Sequence, residues 1–213
     1  MEKCNKSIQN IEDLNILVTG AGGQLGTVFT KKLNAEYGSE NVLLSDIHKI
    51  QSAEKNSVIL DVTDFERIQE IIDKHDITHI YHFAAILSAN GEKNPRFTKK
   101  VNSDGFFNIL EASRKQNIQQ IFYPSSIAVF GSHVPNHAPQ HSVLYPTTVY
   151  GITKAEGENW SQYFFDKYGL DVRSLRFPGV IGHESMPGGG TTDYAVDIFY
   201  TAIKGEKFKC FLK

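Results

Sequence analysis

The sequence predicts a doubly wound α/β domain built on a parallel sheet. Three observations predict it: short apolar runs rich in Val, Ile and Leu, longer helical patterns that alternate with them, and a glycine-rich turn where the first run meets the first helix. Strands that are apolar throughout are covered on both faces, which is how parallel sheets are built. In such sheets ligands bind at the carboxyl ends of the strands.

In chain order, the first strand is expected at residues 15–19, followed after the turn by a helix at 23–37. Strands at 42–45 and 58–60 come next, then a helix at 65–74 and a strand at 79–83. A long helix is expected over 95–116, a strand at 120–124, a helix at 148–167 and a strand at 171–175. Pro146 and Thr147 stand just before the helix at 148–167, and Gly169 follows it where a left-handed cap belongs. Residues 132–143 contain Pro135 and Pro139 and read as a loop. A glycine-rich break at 187–190 precedes a last helix at about 193–204.

The chain's 213 residues suit one large domain, or one domain plus part of another. Hydrophobic residues make up 40% and charged residues 22%, ordinary values for a soluble globular protein. A net charge of -2 gives no electrostatic reason to expect nucleic acid or an anionic membrane surface. The two cysteines, Cys4 and Cys210, lack metal-ligand spacing and fit a reducing compartment. Residues 1–10 carry lysines but no apolar core of a secretory signal, and no stretch approaches the roughly 20 apolar residues that span a bilayer. A cytoplasmic protein is the expectation.

The first strand ends in Thr19-Gly20-Ala21-Gly22-Gly23-Gln24-Leu25-Gly26. Such a turn lets backbone N–H groups approach a pyrophosphate, and the following helix adds its partial positive charge. Gly20, Gly23 and Gly26 form a G-x-x-G-x-x-G spacing, and Gln24 and Leu25 open the helix beneath it. The second strand ends in Asp46, 20 residues beyond Gly26. A carboxylate there accepts hydrogen bonds from ribose hydroxyls and repels a 2′-phosphate, so NAD is favoured over NADP. Asp61-Val62 follows the third strand, and Ala84-Ala85 closes the fourth, where small residues let a dinucleotide pass close to the backbone.

Tyr150-Gly151-Ile152-Thr153-Lys154 is Y-x-x-x-K at the start of a helix, so phenol and ammonium share one face. A phenol is a poor base at its usual pKa of about 10. A neighbouring ammonium and a positive nicotinamide ring favour the phenolate, which can then take a proton from an alcohol. The fifth strand supplies two candidate hydroxyls, Ser125 and Ser126, to orient a substrate oxygen.

These residues, with Arg176-Phe177-Pro178-Gly179, resemble the extended short-chain dehydrogenases, whose best-known members are nucleotide-sugar epimerases and dehydratases. The family's serine motif aligns Ser126 with the catalytic serine and leaves Ser125 as the fallback. The run from Ala84 to Ala89, the segment Gly91-Glu92-Lys93-Asn94-Pro95 and the stretch from Pro187 to Asp197 are similar to the threonine dehydrogenase branch. That resemblance implies a Rossmann-type doubly wound sheet and oxidation of L-threonine to 2-amino-3-oxobutanoate with NAD. It casts Tyr150 as base, Lys154 as its activator and Ser126 as substrate orienter. It casts Pro178 as part of the nicotinamide pocket, and Ser88, Thr191 and Thr192 as substrate contacts. Family members also run on past residue 213. Residues 1–180 are therefore expected to be the NAD-binding domain and 181–213 the start of an incomplete substrate-binding lobe.

Two rivals remain open: a nucleotide-sugar epimerase with the same triad, and a truncated, inactive NAD-binding protein. His133, His137 and His141 recur every four residues, but in a loop, so no metal site is expected. His82 reads as a packed strand residue. Trp160, Tyr163, Phe164 and Phe165 on the helix at 148–167 fit either the sheet core or the four-helix homodimer contact that the family resemblance implies.

Overall fold

In the computed structural model, which describes residues 14–50, 56–182, 188, 190 and 192–209, six parallel strands form one sheet. They are β1 (Ile16–Thr19), β2 (Val42–Asp46), β3 (Ser57–Ile59), β4 (His79–His82), β5 (Gln120–Ser126) and β6 (Asp171–Phe177). Their order is β3-β2-β1-β4-β5-β6, so the chain reverses direction across the sheet between β1 and β4. This is the Rossmann-type arrangement, and the crevice at that switch point is where such sheets take ligands.

β1 shows why its four residues are all apolar or small. Leu17 joins one layer with Ile68, Ile71, Ile109, Leu110 and Phe164, whereas Ile16 and Val18 join the other with Leu33, Val42 and Leu44. Successive side chains point to opposite faces, and both faces are covered.

The helices are α1 (Gln24–Tyr37), α2 (Phe65–Lys74), α3 (Ser88–Gly91), α4 (Pro95–Lys99), α5 (Gly105–Lys115), α6 (Val149–Tyr168) and α7 (Tyr194–Ile203). Asp64 caps α2 by accepting from the Arg67 N–H, Asn94 caps α4 through Phe97, and Thr148 caps α6 through Gly151. Gly169 closes α6 in the left-handed conformation, as its position in the sequence implies. The helix expected at 95–116 is not uniform: Lys100–Asp104 is a π-helical turn between α4 and α5. Such turns widen a helix locally and re-aim its side chains. α3 was not expected at all, because four residues carry too little periodicity to announce a helix.

The aromatic residues of α6 differ in burial. Phe164 is buried in the core beside a partly buried Trp160, while Tyr163 and Phe165 are 44% and 48% exposed. β6 is the least covered strand, with Leu175 59% exposed. No helix among the described residues is long and apolar enough to cross a membrane.

Candidate active site

The turn after β1 is packed closely against its neighbours. Gly20 has φ of 66°, and a Cβ there would lie 2.6 Å from the Ala84 nitrogen. At Gly26 a Cβ would lie 2.2 Å from the Gly20 carbonyl oxygen. The first allows the turn to press against the end of β4, and the second lets α1 start directly beneath it. Ala21 N–H donates to the Ser45 carbonyl and Gly22 N–H to Asp46 Oδ2, both at 3.0 Å, which ties the turn to the end of β2. Unlike α2, α4 and α6, α1 has no side-chain cap. Its first-turn N–H donors and its positive end are left for an anion.

A cavity of about 810 Å³ opens over this turn. Its floor is Gly20, Gly23, Gln24, Leu25 and Gly26, and Ala85 and Ser88 follow from the segment after β4. Ser126, Tyr150 and Lys154 line the far wall with Pro178 and Thr192. Asp46, Asp61, Val62 and Ala84 do not line it. Asp46 sits beside the glycine turn, Asp61 accepts from the Thr63 N–H at 2.9 Å, Val62 is buried, and Ala84 backs Gly20. Thr191 lies outside the described residues. Asn90 donates to the Gly188 carbonyl at 3.2 Å and Thr192 to that of Val180 at 3.4 Å, which brings the segment before α7 to the cavity.

Tyr150 and Lys154 both reach the cavity from the first turns of α6. The helix start is held by Thr148 and also by Glu92, whose carboxylate accepts from the Val149 N–H at 2.7 Å. Lys154 is 3% exposed, and its ammonium donates to the Pro124 carbonyl at 2.7 Å. Burial pushes its pKa down to about 7. Burial pushes the Tyr150 phenol up, opposed by a hydrogen bond with Ser126. Desolvation is thus the larger influence on Tyr150, and Ser126 is the neighbour that opposes it.

Both serines line the cavity, but their hydroxyls have different partners: Ser126 accepts from the Ala128 N–H at 3.2 Å and bonds with Tyr150. Ser125 is buried with its hydroxyl donating to Glu158 Oε1 at 2.5 Å, and Glu158 is held in turn by Arg176 at 2.8 Å. Arg176 and the Ser125 hydroxyl keep the Glu158 carboxyl below its usual range although burial, the largest effect, opposes them. His82 is buried and bonded through Nδ1 to Thr19 Oγ1 at 2.9 Å; burial and, second, the Lys154 charge take it down to about 3. It is a neutral packed residue. Among the described residues no cluster of three His, Cys, Asp or Glu is placed for a metal.

Two contributors escaped the sequence. Asn102, in the π-turn, accepts from the Ile86 N–H and donates to the Ile86 carbonyl and to Thr153, which itself donates to the Tyr150 carbonyl. It bolts the strand-end segment to α6. Glu158 lies one more helical turn beyond Lys154, a spacing that extends the Y-x-x-x-K pattern and could have revealed it.

A switch-point crevice with an uncapped helix beneath it and a phenol–ammonium pair on its wall defines a dinucleotide-binding α/β protein. A model of the NAD dependent epimerase/dehydratase family matches residues 16–210, and the chain belongs to that family. The family's cofactor is NAD. An uncharacterised epimerase/dehydratase of Staphylococcus saprophyticus is 45% identical over 202 residues, which are 92% of this chain and 63% of that protein. The holo form of an L-threonine dehydrogenase from Cupriavidus necator superposes with a TM-score of 0.88 at 44% identity, covering 93% of this chain and 65% of that one. A UDP-glucose 4-epimerase of Thermus thermophilus in complex with NAD gives 0.83 at 25% identity, covering 92% and 64%. The chain therefore spans about two thirds or slightly less of the length of its relatives.

Proposed function

We propose that the protein is an NAD-dependent oxidoreductase that oxidises the side-chain hydroxyl of L-threonine to 2-amino-3-oxobutanoate. The observation that carries this is the convergence of Ser126, Tyr150 and Lys154 on a cavity floored by the glycine turn. The 44% identity to an L-threonine dehydrogenase supports threonine as the substrate.

Gly20, Gly23, Gln24, Leu25 and Gly26 would hold the pyrophosphate at the start of α1. Asp46 would hold the adenosine ribose, with Asp61, Val62, Ala84 and Ala85 along the strand ends, and Pro178 would border the nicotinamide. Bound there, NAD supplies the hydride acceptor. Ser126 hydrogen-bonds the substrate oxygen and turns it towards Tyr150. Tyr150 takes the hydroxyl proton as the C3–H bond breaks and its electron pair leaves as hydride. Lys154, four residues on, favours the phenolate by its charge. Ser88, Thr191 and Thr192 contribute hydroxyls to the amino-acid end of the substrate. The exposed Phe97, Tyr163 and Phe165 are offered as a homodimer face, to be checked by light scattering of the purified protein.

NADH formation from NAD and L-threonine, beside a Tyr150→Phe control, tests this directly. Turnover lost in the control is the expected result. A nucleotide sugar converted without net NADH would favour epimerisation instead. NADH binding with no turnover of either substrate would favour an inactive NAD-binding protein.

A further inference from the structure

Lys154 is one of the most deeply buried charges in the described structure, and its surroundings are largely aromatic. Its nitrogen lies 4.4 Å from the centre of the Tyr123 ring and 5.6 Å from that of Tyr150. Tyr123, on β5, is itself 1% exposed. Phe106 stacks on it with ring centres 3.9 Å apart and planes 14° from parallel, and the His82 ring lies 6.3 Å away. Gly157 makes room for the phenol, since a Cβ there would come within 2.4 Å of the Tyr123 hydroxyl oxygen. Yet that hydroxyl has no hydrogen-bond partner among the described residues. What Tyr123 offers its neighbours is its ring.

A buried ammonium requires compensation for the water it has lost. On its own helix, Glu158 is committed to Arg176 of β6 and Ser125 of β5, and Glu156 accepts from Ser103 and Trp160. Tyr150 faces it from the same helix with its phenol pushed up by burial, and from β4 His82 is held neutral by burial. The Pro124 carbonyl gives one hydrogen bond. Among the described residues, the negative face of the Tyr123 ring is the further compensation, and such contacts are strongest where water is excluded.

We propose that Tyr123 is a positioning residue whose ring face, not its hydroxyl, holds the Lys154 ammonium in place and protonated for its pairing with Tyr150. The roles of Lys154 and Tyr150 in turnover come from the dehydrogenase proposal, whereas the electrostatic support stands apart from it.

The lysine is therefore titrated directly, by NMR of protein carrying isotopically labelled lysine, with Lys154→Met identifying its resonance. Tyr123→Leu is expected to lower the Lys154 pKa by about one unit, the scale of a desolvated cation–ring contact. Tyr123→Phe keeps the ring and is expected to leave the pKa within roughly 0.3 unit of the original. In the pH profile of NADH formation, the limb set by Lys154 moves by the same amount in the leucine variant only. Should Tyr123→Leu fail to fold, a fluorinated phenylalanine at position 123 preserves the shape while weakening the ring's negative face. A lower Lys154 pKa then supports the proposal. An unmoved lysine in the leucine or fluorinated variant, or an equal fall in Tyr123→Phe, overturns it. A shifted lysine in a protein that never forms NADH would leave this proposal standing and sink the dehydrogenase one.

Discussion

His82 reports whether the layer behind the site is held neutral as its packing implies. The imidazole is 2% exposed, and its pKa falls from 6.5 to about 3. Below pH 6.5 the unfolded chain takes up a proton at this residue, while the folded chain stays unprotonated until pH falls to about 3. A folded pKa depressed in this way contributes its stability above the unfolded value and loses it as the pH falls towards the folded one. Each pH unit in that window corresponds to about 1.36 kcal/mol, so falling to about pH 5 removes about 2 kcal/mol. That is a sizeable part of the 5–15 kcal/mol, roughly, that a domain possesses. The window is separated from those of Lys154 and Glu158. Lys154, lowered from 10.5 to about 7, acts at higher pH, and the depressed carboxyl of Glu158 acts below its ordinary 4.5. His79 is also lowered by burial and acts in the same direction, so the imidazole is isolated by difference. Urea unfolding of the wild type and of His82→Asn is followed from about pH 7.5 down to about 5. The variant is expected to lose about 2 kcal/mol less over that range. Equal losses would refute a buried neutral His82.

Gly26→Ala forces a methyl to within 2.2 Å of the Gly20 oxygen, so the turn must shift; NADH affinity measured by fluorescence should fall at least about tenfold, with about 1–3 kcal/mol lost in urea unfolding. Asp46→Ser removes the carboxylate beside the glycine turn and the acceptor for Gly22 N–H. The ratio of NADH to NADPH binding constants is then expected to drop by about tenfold or more. Arg176→Leu leaves the half-buried Glu158 carboxylate with Ser125 alone and should cost about 1–3 kcal/mol in thermal unfolding, while Arg176→Lys recovers part of it.

The strands and long helices were legible because their signals are local. β1 through β6 fall within about two residues of their expected limits, since short runs rich in Val, Ile and Leu bounded by turn residues favour strands. The Gly20–Gly26 spacing announced a strand–turn–helix, which the two close approaches explain. Short α3 and the π-turn at Lys100–Asp104 carried no comparable signal. The π-turn is stabilised by contacts that Asn102 makes with Ile86 and Thr153, residues 16 and 51 positions away. No window along the chain contains that information.

The sequence by itself determined the order of elements, the glycine turn and the Tyr150–Lys154 face, because each depends on residues close in the chain. Only the tertiary structure shows that the Ser125 hydroxyl is bonded to Glu158 whereas Ser126 bonds with Tyr150. It also decided the electrostatic state of the site. Spacing alone suggested a lysine that lowers its tyrosine's pKa, but burial depth determines how much charge either can carry. In this fold Lys154 is buried against the Tyr123 ring, and desolvation is the largest influence on both Lys154 and Tyr150.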